Sequence, residues 1–310
     1  MNSVGIDVGG ANLKIAAGSV AEIIYFPMWK KAAELKDKLS EIAKRYGAER
    51  AGVVITAELA DIFKNKAEGV SFVANVCKDI FKEVYFLDLN GNLSREIKNP
   101  LDFSASNWVA SISFLIKEGY RDFLFVDIGS TTTDLIPVKD RNLAALTDFE
   151  RLKKRELIYF GILRTPVFYI LRSFNNARLC PEYFAITGDV FRVTGDISEA
   201  DYNCETPDGK GKGVEDCMRR ISRTLCCDLE ELGIEKVKEI AFKTKKAMTR
   251  ILSREIKRKI ADYELKTVLA CGIGEFLVEQ SYSCVRLSKI YGEFSKLFPA
   301  FSMLKLVENL

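Results

Sequence analysis

The sequence predicts an α/β protein built as two similar halves, and three observations carry that prediction. Residues 4–16 read VGIDVGGANLKIA and residues 125–138 read FVDIGSTTTDLIPV. Each is an apolar strand ending in Asp-X-Gly, a short polar turn and a second strand, the pattern of a β-hairpin. Around both hairpins, strand-length apolar runs alternate with segments of helical period, as in layered α/β proteins. Near the end, residues 269–276 (LACGIGEF) read as a strand, a glycine turn and the start of a helix. The repeat divides the chain near residue 120, into a first α/β domain of residues 1–120 and a second of 121–310. A closing helix at about 298–310 is free to pack back on the first domain.

Taken in order, residues 3–8, 13–17 and 21–26 read as three strands joined by tight turns. Residues 31–46 place Leu35, Leu39, Ile42 and Ala43 on one face of a helix. Residues 50–56 hold an unbroken apolar run at 51–55, which suits a buried parallel strand. A helix at 71–81, a strand at 84–88 and a helix at 104–117, with Trp108, Ile112 and Leu115 inward, complete the first half. After the second hairpin, residues 155–158 read as a strand, 166–172 as a helix and 175–181 as a loop. The stretch ETPDGKGKG at 205–213 has turn chemistry and predicts an exposed loop. Residues 214–232 and 235–262 read as two long helices, 266–270 as a strand and 275–281 as a helix.

The composition narrows the function. The 310 residues are 48% hydrophobic and 29% charged, an ordinary globular make-up. A formal charge of +3 gives no case for a nucleic-acid partner, and the basic run at 243–259 is interleaved with apolar and acidic residues, as on a solvated helix face. No apolar run reaches the roughly 18 residues of a membrane span. Met1-Asn2 leads straight into the first strand, so no signal peptide is expected. The eight cysteines form no CxxC pair and are expected to be reduced thiols of a cytoplasmic protein. Histidine is absent, which removes His triads, His bases and His metal ligands. Proton transfer then falls to carboxylate, Lys, Tyr, Cys or the substrate, and the natural metal is a hard, oxygen-bound cation such as magnesium.

A glycine turn can bring backbone N–H groups close to an anion. Gly9, Gly10 and Asn12 supply one such turn, with Lys14 on the following strand. Gly129, Ser130, Thr131 and Thr132 supply another, with hydroxyl donors added. One such turn alone is as well explained as a plain hairpin. Two at corresponding places point to a polyphosphate gripped from both sides, with Asp7, Asp127 and Asp134 holding magnesium mostly through water. Gly272 and Gly274 offer further backbone donors for a nucleotide or another phosphate.

In this order IDVGGANLK, DIGSTTTDL and ACGIGEF resemble the two phosphate loops and the adenosine loop of the actin/hexokinase/Hsp70 superfamily. The resemblance implies two RNase H-like (actin-like ATPase) domains with a cleft between them, the hairpin being repeated because the domain is duplicated. YFPMWKK, VVITAELAD, YFGILRTPV and ETPDGKGKG narrow it further. Over its whole length the chain is similar to the hydantoinase A-related, tetrahydromethanopterin-linked C1-pathway family of archaea and methylotrophs. That family includes methanofuran-biosynthesis coupling enzymes. The resemblance therefore implies a transferase that joins γ-glutamyltyramine to an aminomethyl-furanmethyl diphosphate and releases pyrophosphate.

On that reading the two loops and magnesium neutralise the leaving diphosphate. A carboxylate takes the proton of a phenol whose ordinary pKa is about 10. Glu58 and Asp61 follow the buried strand 50–56, where strand ends border a ligand crevice. Glu58 is the candidate base and Asp61 a substrate contact, although the same acids suit a helix N-terminus. Asp127 and Asp134 are candidates for metal or base duty. Arg164 suits a carboxylate or phosphate, as do Lys30 and Lys31 beside Tyr25, Phe26 and Trp29. Asp208 and Lys210 fit either a lid or a surface turn. Two other functions stay open on the residues: an ATP-dependent small-molecule kinase and a nucleotide-dependent actin-like switch. The transferase does not require ATP. Its expected partners are small molecules, without membrane or nucleic acid, and a homodimer is left open.

Overall fold

The computed structural model describes residues 2–308 and Leu310. The first sheet starts with β1 (Ser3–Gly9), β2 (Asn12–Ala17) and β3 (Val20–Tyr25), an antiparallel meander. A short helix α1 (Met28–Lys31) and the helix α2 (Leu35–Tyr46) lead to β4 (Arg50–Thr56), which returns parallel to β1. Gly47, at φ +57, ends α2 and donates back to Ala43 and Lys44, a left-handed cap that favours glycine. Helix α3 (Lys66–Ile80) connects to β5 (Glu83–Leu87), parallel to β4, and the short β6 (Leu93–Ser94) closes the edge. Asn65 caps α3 by accepting from the Glu68 N–H at 3.0 Å, so this helix begins before the residue 71 that periodicity marked. Helix α4 (Asn107–Lys117) follows.

The second sheet repeats the plan. Strands β7 (Phe123–Ile128) and β8 (Thr133–Lys139) form the hairpin, β9 (Arg141–Asn142) pairs with the far end of β8, and helix α5 (Asp148–Lys154) leads to β10 (Leu157–Ile158), antiparallel to β8. Then come α6 (Val167–Ile170), β11 (Ser173–Phe174), β12 (Ala177–Arg178), α7 (Thr187–Val193), α8 (Val214–Arg223), α9 (Leu229–Leu232) and α10 (Ile234–Tyr263). β13 (Thr267–Cys271), α11 (Glu275–Ser281) and β14 (Val285–Arg286) complete the sheet, and α12 (Ser288–Tyr291) and α13 (Phe298–Glu308) end the described chain.

The sheet orders are β3-β2-β1-β4-β5-β6 and β10-β8-β7-β13-β14. In both, a hairpin carries a third strand on its outer edge, and later strands add beside the first. This is the duplicated RNase H-like α/β arrangement.

Two local expectations are corrected. Residues 175–181 are not simply a loop: Asn175 and Asn176, at φ +46 and +68, turn the hairpin β11–β12. Both central residues are left-handed, as a two-residue hairpin turn requires and as Asn tolerates. Residues 214–232 are not one helix. Cys226 at φ +57 breaks the run, and Asp228 recaps it by accepting from the Glu231 N–H. Helices α5 and α7 had no counterpart in the sequence pattern.

The chain forms two compact units that interleave in sequence, unlike the contiguous split at residue 120. One holds the chain up to Phe125, Ile136–Lys154 and Leu287–Leu310; the other holds Val126–Leu135 and Arg155–Arg286. The C-terminal helix explains part of the interleaving. α13 lies so close on β1 and β4 that a Cβ on Gly5 would stand 1.9 Å from the Ala300 carbonyl oxygen, and one on Gly52 2.9 Å from that of Met303. Its Phe298 ring then meets Phe114 at 5.9 Å and Phe125 at 6.2 Å. The core of this unit joins Ile6, Val8, Leu13 and Val53 of the sheet to Leu39, Ile42, Val70 and Val73 of α2 and α3. The core of the other gathers Val167, Val190, Ile221, Val237 and Ile240 from four helices. Among the described residues no helix is long and apolar enough to cross a membrane.

Candidate functional site

In the first unit the turn after β1 is braced from outside the hairpin. The carbonyls of Gly10 and Ala11 accept from the N–H groups of Met28 and Phe26 at 2.8 and 2.9 Å. Gly9 is required there, since a Cβ would come within 2.8 Å of the Asn12 carbonyl. Asn12 is buried, and its Oδ1 lacks a hydrogen-bond partner among the described residues. Asp7 is buried under the turn, with one oxygen accepting from Lys14 Nζ at 3.0 Å and the other from Thr56 Oγ1 at 2.8 Å. Lys14 therefore pairs with Asp7 under the turn. Thr56, the last residue of β4, went unnoticed in the sequence; its position at a strand end was the available signal.

Two residues beyond Thr56, Glu58 sits in a turn with only 3% of its surface exposed. Its Oε2 has no hydrogen-bond partner among the described residues. Burial pushes its carboxyl up to about 7; its own backbone N–H and Lys66 oppose the rise, while Asp148 and Asp7 add to it. Gly69 of α3 makes the burial possible, because a Cβ there would press to 2.7 Å on Glu58 Cα. Asp61 parts company with it: its side chain is exposed, as is that of Lys30 on α1. Nor is Glu58 at a helix N-terminus, since α3 starts only at Lys66. The same unit buries Arg151 with its guanidinium 4.8 Å from the Trp108 ring centroid and 3.0 Å from Asp148 Oδ1. Sequence reading assigned Trp108 to the core and overlooked Arg151 and Asp148.

In the second unit the hydroxyl turn is clamped by the YFGILRTPV segment. The Gly129 N–H donates to the Thr132 carbonyl at 2.9 Å, closing the turn. The Gly129 carbonyl accepts from Ile162, and that of Ser130 from Leu163 and Arg164, each at 3.0 Å. A Cβ on Gly161 would lie 2.5 Å from both Ser130 C and Thr131 N, so only glycine permits this stacking. Thr133 Oγ1 donates to the Phe160 carbonyl at 2.9 Å. Arg164 reaches the turn itself, with Nη1 3.4 Å from Thr131 Oγ1. The structure thus joins Arg164 to Ser130 and Thr131, and adds Gly161, which its place in a loop did not advertise.

Asp127 and Asp134 are buried near the same hairpin, and both act on Cys271 at the end of β13. Burial raises that thiol well above its usual range, and the charges of Asp127, Glu275 and Asp134 add to the effect. Glu275 is itself paired with Arg286 at 3.1 Å. Gly272 and Gly274 have a packing reason of their own. Cβ atoms there would stand 2.3 Å from Asp127 Oδ1 and 2.5 Å from Ile128 Cγ2, and the Gly274 N–H donates to the Ile128 carbonyl at 2.9 Å. Asp208 is held by Arg220 at 3.0 Å and Arg223 at 2.9 Å, so the glycine-rich loop is pinned; Lys210 is exposed on it. Among the described residues no three acidic or thiol side chains make a metal cage.

Each unit thus supplies a braced turn suited to anions. The first adds a buried, under-bonded carboxyl, and the second adds two further carboxylates and an arginine. The sequence profile of the hydantoinase/oxoprolinase family matches residues 49–305. The chain is 39% identical, over 99% of its length and 97% of the relative's, to the (4-{4-[2-(γ-L-glutamylamino)ethyl]phenoxymethyl}furan-2-yl)methanamine synthase of Methanocaldococcus jannaschii. It is 34% identical to the synthase of the same name from Methanococcus vannielii, over 61% of this chain and 92% of that one. Among solved structures it is similar to a ROK family glucokinase from Streptomyces griseus, at 12% identity and a TM-score of 0.47, covering 99% of this chain and 100% of that one.

Proposed function

We propose that this chain, which belongs to the hydantoinase/oxoprolinase family, is a furanmethyl transferase of methanofuran biosynthesis. It joins the phenol oxygen of γ-glutamyltyramine to (5-(aminomethyl)furan-3-yl)methyl diphosphate, giving the phenoxymethyl-furan methanamine and pyrophosphate. The observation that carries the proposal is the 39% identity, nearly end to end, to the methanogen synthase named for that product.

The residues suit the chemistry. A new bond forms from the phenol oxygen to the furanmethyl carbon. The bond from that carbon to the diphosphate oxygen breaks, and its electron pair leaves with pyrophosphate. The phenol proton goes to Glu58, whose carboxyl at about 7 is a stronger base than an exposed glutamate and is ionised in half the molecules at that pH. The Ser130–Thr132 turn and Arg164 take the diphosphate. Magnesium suits the same unit in the way it usually meets phosphates, through one or two carboxylates and water. Asp127 and Asp134 would supply those carboxylates, and magnesium held there would provide charge neutralisation for the leaving group. Asp7, whose oxygens each accept one hydrogen bond, from Lys14 and from Thr56, would meet the ion through water. Such an enzyme is soluble and cytoplasmic and consumes no ATP.

The test is the purified protein with both substrates and magnesium, with and without ATP, read by mass spectrometry and pyrophosphate release. Ether and pyrophosphate in equal amounts, unaffected by ATP, are expected. ADP formation without ether would return the protein to the kinases.

A further inference from the structure

The Arg164 segment continues, through packed neighbours, to a lysine that the reading above does not use. The Leu163 carbonyl accepts from the Gly188 N–H at 3.0 Å. A Cβ on Gly188 would stand 2.7 Å from the Tyr202 ring, so the ring lies directly on this glycine. Lys212 Nζ stands 5.5 Å from the centroid of that ring. Cys204, buried two residues past Tyr202, feels both Arg164 and Lys212: burial pushes its thiol up to about 11 and the two cations pull against it.

Two of the carboxylates nearby are committed elsewhere, while the third, Asp216, lies against Gly211 and Gly213 without forming an ion pair with Lys212. Asp189, fully buried, accepts from Arg220 Nε at 2.8 Å, the Tyr202 hydroxyl at 3.1 Å and the Ile186 N–H at 3.0 Å. Asp208 accepts from Arg220 and Arg223. These bonds also fix the loop that carries the lysine, together with Arg192 Nε on the Lys212 carbonyl at 3.1 Å and Thr206 Oγ1 on that of Lys210 at 2.8 Å. Lys212 is half-buried and has no carboxylate partner among the described residues. A half-buried ammonium on a pinned loop, held in no ion pair, is suited to an anion from outside the chain.

We propose that Lys212 and Arg164 form an anion subsite, continuous with the Ser130–Thr131 turn, that takes the diphosphate of the furanmethyl substrate. Two cations and a row of hydroxyls match a diphosphate better than a single carboxylate, which one arginine satisfies bidentately. The identity of the diphosphate rests on the transferase reading; the pairing of the cations does not.

Calorimetric titration of the full chain with inorganic pyrophosphate, with no other substrate present, reads the subsite directly. Lys212→Met and Lys212→Gln are expected to weaken binding about 10- to 100-fold, the worth of a charge-assisted hydrogen bond, while Lys212→Arg stays within a few-fold of wild type. Binding of γ-glutamyltyramine is expected to be unchanged in all three. Wild-type pyrophosphate affinity in Lys212→Met, with its thermal melt unaltered, overturns the proposal. So does a loss confined to γ-glutamyltyramine, which would make the anion the glutamyl carboxylate. If wild type makes the ether but its pyrophosphate affinity ignores Lys212, this inference alone falls. If wild type neither makes ether nor binds pyrophosphate, both readings fall.

Discussion

Replacing Glu58 by Gln should stabilise the protein at alkaline pH while disabling it. Below the ordinary carboxyl value of 4.5, Glu58 is neutral in both the folded and the unfolded chain and costs nothing. Between 4.5 and about 7 the unfolded chain ionises first, so folding is progressively disfavoured. Above about 7 the folded protein carries the buried charge and the cost is complete. Each tenfold change in an ionisation constant is worth about 1.4 kcal/mol. Raising the carboxyl from 4.5 to about 7 therefore costs on the order of 3 kcal/mol. Denaturant titrations at pH 4.5 and pH 8.5 should show Glu58→Gln gaining most of that margin over wild type at the higher pH only. In the same variant the rate should fall about 100- to 10,000-fold, as for a lost general base. The wild-type rate should rise through an inflection near 7 that the variant lacks. Equal stabilities at both pH values, or an inflection that survives the substitution, would refute the assignment of Glu58 as a buried base.

Gly161→Ala places a methyl against the Ser130 and Thr131 backbone; it should cost about 1–3 kcal/mol of stability and weaken pyrophosphate binding at least tenfold, read by thermal melts and calorimetry. Asp134→Asn should raise the magnesium concentration needed for half-maximal rate about tenfold or more, measured by metal titration of turnover. The Cys180 and Cys226 sulfurs lie 3.2 Å apart as free thiols. Mild peroxide should therefore join them, removing two hydrogens as water forms, and a non-reducing peptide map should show this link and not one to buried Cys77.

The sheets were legible because their signals are local. The apolar run of β4 and the Asp-X-Gly turns of both hairpins state their structure within a few residues. Asn175-Asn176 carried a turn signal as well, but the strands flanking it are two residues each, too short for any alternation to show. The interleaving of the units depends on α13 meeting Gly5 and Gly52, contacts between residues far apart in sequence that periodicity does not encode. The same limit governs the candidate site. Glu58 was singled out because it follows a buried strand, yet its burial depends on Gly69, and it is that burial which raises its carboxyl. Asp61 carried the same residue type and nearly the same position but turned outward. Lys212 was hidden in a glycine-rich stretch that read as an exposed loop; the buried Arg220 that pins the loop lies on α8, outside the motif.

The most direct test of the account is the fate of the phenol oxygen. γ-Glutamyltyramine carrying heavy oxygen in its phenol is turned over with unlabelled furanmethyl diphosphate. Label retained wholly in the ether, with unlabelled pyrophosphate released, is the predicted result, because the broken bond lies between the furanmethyl carbon and the diphosphate. Label appearing instead in an aryl phosphate or diphosphate ester of γ-glutamyltyramine, with no labelled ether, would mean that the phenol attacks phosphorus, and would contradict the alkyl-transfer account.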